Sequence, residues 1–246
     1  MEKISGCVEH TEALSEMLLD AKKNGKQIVT AWLDLQNAYG SVPHNLIQFA
    51  LEWYHVPEHI RKIVYNYYDN QFIRVKTKEW TTDWMQCLVG VFQGCPLSCI
   101  LFLAVFNLCL DRLDGMKHVG YQLSSNITSA AKAYADDLTL TAKDPEGCQE
   151  LINTVEEFLI WTRTMKAKPV KCKSHAMKKF QPSRQMRDLG HRTQYVAYDP
   201  KLTISGKEIE YIHSHPVRFL GKLIYKDLKD AEIRNQVTEK LENVLK

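Results

Sequence analysis

Two adjacent acidic residues, Asp136 and Asp137, lie between two short apolar segments of this chain. Successive side chains of a strand point to opposite faces, so neighbouring carboxylates can approach one site only near a turn. Residues 133–141 are therefore predicted to form a hairpin with the two aspartates at its turn. Two like charges side by side repel each other, and they need either a cation or a raised pKa.

A third carboxylate, Asp34, ends a predicted buried strand that begins near Gln27. If this strand neighbours the hairpin, three carboxylates meet at one end of a sheet. Magnesium takes oxygen ligands and keeps positions for water and phosphate. Two such ions can hold the attacking and leaving oxygens of an in-line phosphoryl displacement. A solvated turn is the alternative for an isolated Asp-Asp pair, but the apolar flanks argue against it.

The composition is typical of a globular intracellular protein. The 246 residues are 45% hydrophobic and 25% charged, which is enough to bury a core. Seven cysteines show no disulfide spacing, which favours a reduced chain in the nucleus or the cytoplasm, not a secreted one. The longest apolar run, residues 100–110, is interrupted by Asn107 and is too short for a bilayer, so no membrane partner is predicted.

Helices and strands are mixed without regular βαβ alternation, which predicts an α+β fold with helices on one face of a sheet. Helices are predicted at 11–24, 45–54, 58–69, 96–113, 146–165 and 229–245. Strands are predicted at 27–35, 72–77, 84–91, 172–180, 202–211 and 216–225, besides the hairpin. Residues 182–200 are polar and are predicted to form a surface loop.

Five segments, in order, resemble the motifs of reverse transcriptases, of the type found in non-LTR (LINE-type) retrotransposons. The segments are 33–44 for motif A, 91–98 for motif B, 134–137 for motif C, 171–174 for motif D and 217–222 for the primer grip. The resemblance runs from about residue 6 to residue 222. It implies a right-hand polymerase palm, with a ferredoxin-like antiparallel sheet, partial fingers and a thumb that is largely absent.

The resemblance also implies the catalytic residues. Asp34, Asp136 and Asp137 would carry the chemistry. With the backbone carbonyl of Leu35, they would hold two magnesium ions, for which manganese could substitute. Tyr39 falls where these enzymes place a bulky gate under the sugar of the incoming nucleotide. An aromatic ring there clashes with a 2′-hydroxyl and so favours deoxynucleotides.

Further residues are implied to bind the nucleotide. Gln93 and Gly94 would lie against the templating base and the nucleotide, since glycine allows a close backbone approach. Lys171 would approach the triphosphate and could donate a proton to pyrophosphate. Lys173 is the rival for that role.

The primer and the template are expected to meet two other parts of the chain. The primer end would be positioned by Phe219, Leu220 and Gly221. Residues 163–187 contain nine basic and no acidic side chains, and such cationic surfaces attract phosphate backbones. The basic side chains expected to contact nucleic acid are Arg163, Lys166, Lys168 and Lys173.

Three regions are predicted: a leading helix at 1–26, the palm with partial fingers at 27–225, and a C-terminal helix at 226–246 that could begin a thumb. Two functions remain open. One is an RNA-directed DNA polymerase that binds an RNA template, a DNA primer and deoxynucleotides. The other is a catalytically inactive nucleic-acid-binding remnant or fragment of a retrotransposon polyprotein. The sequence gives no indication of an oligomeric state.

Overall fold

The computed structural model describes residues 6–188, 192–213 and 216–225. The helices are α1 (Gly6–Asn24), α2 (His44–Trp53), α3 (Glu58–Asp69), α4 (Pro96–Asp114), α5 (Pro145–Thr162) and α6 (Arg184–Asp188), with 3-10 turns at Tyr39–Ser41 and Pro169–Lys171. The strands are β1 (Ile28–Leu33), β2 (Phe72–Ile73), β3 (Met85–Gln86), β4 (Tyr121–Ser124), β5 (Ile127–Ser129), β6 (Ala131–Tyr134), β7 (Asp137–Ala142), β8 (Lys173–Phe180), β9 (Gln194–Tyr198), β10 (Thr203–Ile204), β11 (Lys207–Glu208), β12 (Glu210–Tyr211), β13 (Val217–Phe219) and β14 (Lys222–Ile224).

A six-stranded sheet organises the fold, in the order β12-β8-β1-β7-β6, with β9 pairing on β8. β1 is antiparallel to both of its neighbours, and Val29 lies opposite Ala142 on one side and Ala176 on the other. β12 is an exception, because it runs parallel to β8. Every residue of β1 is buried, so the central strand is covered on both faces.

Different helices cover the two faces of this sheet. Val29, Ala31 and Leu33 of β1 belong to one core with α4 and α5. Ile28 and Trp32 belong to a second core with α1. The α+β class therefore holds, but the helices do not all lie on one face as predicted. The physical reason is the continuous apolar run of β1, which must be buried on both sides.

Helix α4 is the most apolar element of the core. Its 19 residues are long and apolar enough to cross a membrane by length and composition, contrary to the expectation from the sequence. In the structure its side chains Phe102, Val105 and Phe106 are fully buried. The helix contacts α2, α5 and β6, and this core position accounts for its composition.

The prediction of a loop at residues 182–200 is wrong, because these residues include α6 and the edge strand β9. The hydroxyl of Tyr195 donates to the carbonyl of Lys26 at 2.8 Å, and the ammonium of Lys178 lies 4.5 Å from the ring centroid of Tyr198. Aromatic and β-branched residues favour a strand, but the polar neighbours of β9 hide this signal.

Several other boundaries differ from the predictions. The predicted strands at 72–77 and 84–91 shrink to β2 and β3, and the strand at 202–211 divides into β10, β11 and β12. The hairpin of β4 and β5 has no counterpart in the predicted elements. The helix predicted at 229–245 lies outside the described residues, and the division into three regions stays a prediction.

Candidate active site

Two of the predicted carboxylates meet where β1 ends and β7 begins. Leu33 is paired with Leu138. Asp34 follows Leu33 and Asp137 precedes Leu138, so the two aspartates occupy adjoining ends of paired strands. The sheet register thus brings together residues that are distant in the sequence.

The hairpin of β6 and β7 forms as predicted, but its turn lies one residue earlier. Tyr134 pairs with Asp137, so Ala135 and Asp136 make the two-residue turn and Asp137 opens β7. Ala135 has a φ of 54°, a positive value that tight hairpin turns require and that favours glycine or asparagine. The turn holds Asp136 at its tip, beside Asp137.

Negative charge accumulates at this end of the sheet. Burial, followed by the charges of Asp136 and Asp34, raises the pKa of Asp137. Within the described ranges, no group of three His, Cys, Asp or Glu side chains is arranged to hold a metal ion. The donor set nevertheless fits magnesium, because it consists of hard oxygen atoms and because a cation would relieve the repulsion that acts on Asp137.

The segment after α5 places a cation beside Asp34. The amide of Lys168 donates to the carbonyl of Asp34 at 2.8 Å, and the amide of Gln36 donates to the carbonyl of Lys166 at 2.8 Å. Lys171 then lies with its Nζ 3.7 Å from Asp34 Oδ1. Backbone hydrogen bonds therefore fix the segment that carries Lys171 to the segment that carries Asp34.

Leu35 lies between these two hydrogen bonds, opposite Ala167. In an antiparallel pair flanked in this way, the amide and carbonyl of the residue point away from its partner. The carbonyl of Leu35 is therefore directed toward the side of β1 on which β7 lies. Asp137 opens β7 on the same side.

Tyr39 lies in the 3-10 turn that follows Asp34. Its ring stacks on Phe102 of α4, with centroids 4.8 Å apart and planes inclined by 13°. Burial, followed by the Cys99 thiol and the charge of Asp136, raises the pKa of Tyr39 to about 12, so its hydroxyl stays neutral. The turn that carries this ring begins five residues after Asp34. The sequence pattern marks Phe102 only as a core residue, and its support of Tyr39 is visible only in the structure.

The loop before α4 is hydrogen-bonded to the segment after Asp34. The amide of Val91 donates to the carbonyl of Tyr39 at 2.8 Å. Gln93 and Gly94 follow, and both are exposed. These two residues are thereby tethered near Tyr39, but among the described residues no hydrogen bond joins them to the carboxylates.

Gly90→Ala is expected to lower the free energy of unfolding by about 2–3 kcal/mol, as measured by urea denaturation. Gly90 has a φ of 95°, and an added Cβ would lie 3.0 Å from the carbonyl oxygen of Gly40. Gly94→Ala is the matched control, because its φ of 90° is similar but no atom lies within 4 Å of the added Cβ. Equal losses in both variants would contradict the importance of the close approach to Gly40.

The predicted primer-grip residues form the hairpin of β13 and β14. Leu220 and Gly221 make its turn, with φ values of 45° and 86°. Phe219 is buried in the core shared with α1, whereas Gly221 is exposed. The turn is therefore the exposed part of the hairpin, and the Phe219 side chain anchors the hairpin to the core.

This hairpin lies beside the carboxylates. A cavity of about 130 Å³ is bounded by Asp34, Asp137 and Lys171 on one side and by residues 217–219 on the other. One of the hairpin residues that line the cavity is Arg218, whose side chain is exposed. Arg218 does not stand out in the sequence, because it lies within a short apolar strand. The structure thus brings the grip hairpin to the predicted catalytic residues.

The two rival lysines have different partners. Lys171 reaches Asp34, whereas Nζ of Lys173 is 2.6 Å from Glu210 Oε2. Both lysines line the cavity beside the carboxylates. Of the two, Lys171 is the one whose ammonium lies beside a predicted catalytic carboxylate.

The remaining basic residues are spread over different surfaces. Arg163 ends α5 and lines another cavity, of about 500 Å³, bounded mainly by α2 and α3. Lys166 is exposed and Lys168 is half-buried, both on the segment that pairs with residues 34–36. The segment 163–187 is therefore not one continuous cationic face.

A right-hand polymerase palm is the class that this sheet and its carboxylates define. The chain belongs to the reverse transcriptase (RNA-dependent DNA polymerase) family, whose model matches residues 2–224. It is 27% identical over 240 residues to the Pol polyprotein from type-1 retrotransposable element R2 of Nasonia vitripennis, covering 97% of this chain and 22% of the polyprotein.

A second relative is the Pol polyprotein from type-2 retrotransposable element R2DM of Drosophila melanogaster. The two chains are 32% identical over 156 residues, which is 63% of this chain and 14% of the polyprotein. This chain therefore spans about a fifth or less of these relatives. The predicted reverse transcriptase domain of a non-LTR retrotransposon is confirmed by these matches.

Among solved structures, the apo telomerase of Candida tropicalis, truncated from its C-terminal domain, matches with a TM-score of 0.50. The match covers 67% of this chain and 35% of the telomerase, at 12% identity. At that identity it shows the fold alone, and it confirms the predicted palm-like fold. Reverse transcriptases as a family use divalent metal ions and bind nucleic acid.

Proposed function

We propose that this chain catalyses RNA-templated DNA synthesis, with an RNA template, a DNA primer and deoxynucleoside triphosphates as its partners. The observation that carries the proposal is the convergence of Asp34, Asp136 and Asp137 at one end of the sheet, with Lys171 3.7 Å from Asp34. The family match supports the same function. The alternative of an inactive remnant is not favoured, since all three aspartates are present.

In the proposed reaction, the primer 3′-oxygen attacks the α-phosphorus of the nucleotide. A phosphodiester bond forms as the bond to pyrophosphate breaks. Lys171 lies beside Asp34 and would donate a proton to the departing pyrophosphate. The turn of Leu220 and Gly221 would hold the primer end, while Gln93 and Gly94 would lie against the new base pair.

Two magnesium ions are proposed as cofactors, with manganese as a possible substitute. The residues that would hold them are Asp34, Asp136, Asp137 and the carbonyl of Leu35. When bound, such ions supply charge neutralisation and align the attacking and leaving oxygens. Without them, the three carboxylates would repel both one another and the triphosphate.

The experiment is primer extension by the full chain on an RNA template, with magnesium and deoxynucleotides. The control is the double variant Asp34→Ala, Asp136→Ala. Extension by the natural chain that is lost in the control would support the proposal. Salt-sensitive binding to the primer–template without extension would instead support the nucleic-acid-binding remnant.

Tyr39→Val is expected to reduce the preference for deoxynucleotides over ribonucleotides by roughly tenfold or more. The ring of Tyr39 is stacked on Phe102 in the turn that follows Asp34, and a smaller side chain would leave room for a 2′-hydroxyl. The measurement is the ratio of kcat/KM for the two nucleotide types. Tyr39→Phe is the control, because it keeps the ring. An unchanged ratio in Tyr39→Val would contradict the gate.

We also propose an intracellular location, in the nucleus or the cytoplasm. All seven cysteines lie within the described residues, and all are free. Free thiols are typical of reducing compartments.

A further inference from the structure

A hairpin arm made by residues 72–86 projects from the polymerase core between α3 and α4. Phe72 pairs with Gln86 and Ile73 with Met85. Farther out, the amide of Thr82 donates to the carbonyl of Val75 at 2.9 Å. All of its residues except Thr82 are exposed, so both faces of the arm are open.

One face of this arm combines aromatic rings with cations. The guanidinium of Arg74 lies 4.7 Å from the ring centroid of Trp84, so these side chains share a face. Phe72 in β2 and Lys76, which forms an isolated antiparallel bridge with Thr81, lie two residues before and two residues after Arg74. In an extended chain this spacing puts all three side chains on one face. Trp84 and Phe72 are 61% and 52% exposed, so both rings are open to a ligand. We call these four residues the aromatic–basic face.

The base of the arm is joined to the proposed nucleotide site. The amide of His44 donates to the carbonyl of Leu88 at 3.1 Å, and the amide of Gly90 donates to the carbonyl of Val42 at 2.7 Å. The next residues of the chain lead to Gln93 and Gly94, the proposed contacts of the templating base. The arm therefore begins within a few residues of the place where the template would be read.

We propose that the aromatic–basic face binds the unpaired template RNA next to the templating base, an inference that rests on the proposed function. Bases would stack on Trp84 and Phe72, and phosphates would lie against Arg74 and Lys76. Aromatic platforms with neighbouring cations are the general way in which proteins bind single strands without sequence preference.

Charge favours a nucleic acid over a protein as the occupant of this face. Arg74 and Lys76 alternate with the apolar Ile73 and Val75. The arm carries three basic side chains against the acidic Glu79 and Asp83, neither of which belongs to the aromatic–basic face. The opposite face carries Ile73, Val75 and Met85, which are exposed and apolar. A protein contact through the arm would use that apolar face, and it is tested below as the competing outcome.

The test measures binding of a fluorescein-labelled oligouridylate RNA to the full 246-residue chain by fluorescence anisotropy. Trp84→Ala is expected to raise Kd about tenfold. Arg74→Gln is expected to reduce the slope of log Kd against log salt concentration by about one. Trp53→Ala is the matched control, because Trp53 on α2 is also 61% exposed. Its Kd is expected to stay unchanged, and thermal melting verifies that each variant is folded.

Three outcomes would overturn the inference while leaving the proposed function intact, provided that the natural chain binds RNA and extends a primer. The first is an unchanged Kd in Trp84→Ala. The second is an equal loss in Trp53→Ala. The third is a change of oligomeric state in Trp84→Ala, seen by sedimentation, with no change in RNA affinity, which would assign the arm to a protein contact. A natural chain that binds no RNA would refute the proposed function and this inference together.

Discussion

Asp136→Asn is expected to slow RNA-templated primer extension by about a thousandfold or more. Asparagine has nearly the shape of aspartate but lacks its charge, and the loss of several kcal/mol of transition-state stabilisation corresponds to this factor. Asp136 lies at the tip of the turn between β6 and β7, outside both cores. The thermal midpoint should therefore stay within a few degrees of that of the natural chain, as measured by circular dichroism.

The matched control is Asp114→Asn, at the exposed end of α4. It makes the same chemical change far from the strand ends, and extension should be unaffected. If Asp136→Asn kept full magnesium-dependent synthesis, the assignment of the catalytic site to this end of the sheet would be wrong. A large fall in melting temperature would instead indicate a structural role for the carboxylate.

Lys171→Gln is expected to lower kcat about a hundredfold, the usual scale of a general acid. Its ammonium is 3.7 Å from Asp34 and borders the cavity beside the grip hairpin. Its side chain is mostly exposed, so the ion pair with Asp34 contributes little to stability. Single-turnover extension rates at saturating nucleotide would measure the loss without interference from binding.

Lys173→Gln tests whether any positive charge near the carboxylates would have the effect that we assign to Lys171. Lys173 lines the same cavity, but its ammonium is held 2.6 Å from Glu210. We expect its replacement to change kcat by less than about threefold and to act mainly on nucleic-acid affinity. A hundredfold loss in Lys173→Gln beside a small loss in Lys171→Gln would exchange the two assignments.

Local sequence signals are sufficient to predict much of this site. The apolar flanks of Asp136 and Asp137 predict a hairpin, and the structure differs only by placing Asp137 in β7 instead of the turn. Asp34 is predicted at the end of an apolar strand, and in the structure it comes directly after that strand, which ends at Leu33. These features are determined by residues close together in the sequence. Hydrophobic periodicity and turn residues can therefore predict them.

Pairing between distant segments could not be predicted in this way. The amide of Lys168 donates to the carbonyl of Asp34. The sequence around either residue does not indicate that the two segments pair. The position of α1 opposite α4 and α5 depends on which face of β1 each helix covers, and helix periodicity does not encode that choice. The stacking of Tyr39 on Phe102 could not be predicted for the same reason, because it depends on where α4 packs against the sheet.

The place of β1 in the middle of the sheet has a consequence for the order of folding. Val29 of β1 pairs with Ala142 and with Ala176. The strand is therefore paired on both sides only after both of these distant segments are available. Proteins dominated by such distant contacts fold slowly, because the loops must close before the contacts can form. During synthesis, β1 would stay incompletely paired until residues 173–177 of β8 have left the ribosome. The topology that aligns the proposed catalytic carboxylates therefore leaves an apolar strand open to misfolding contacts during synthesis.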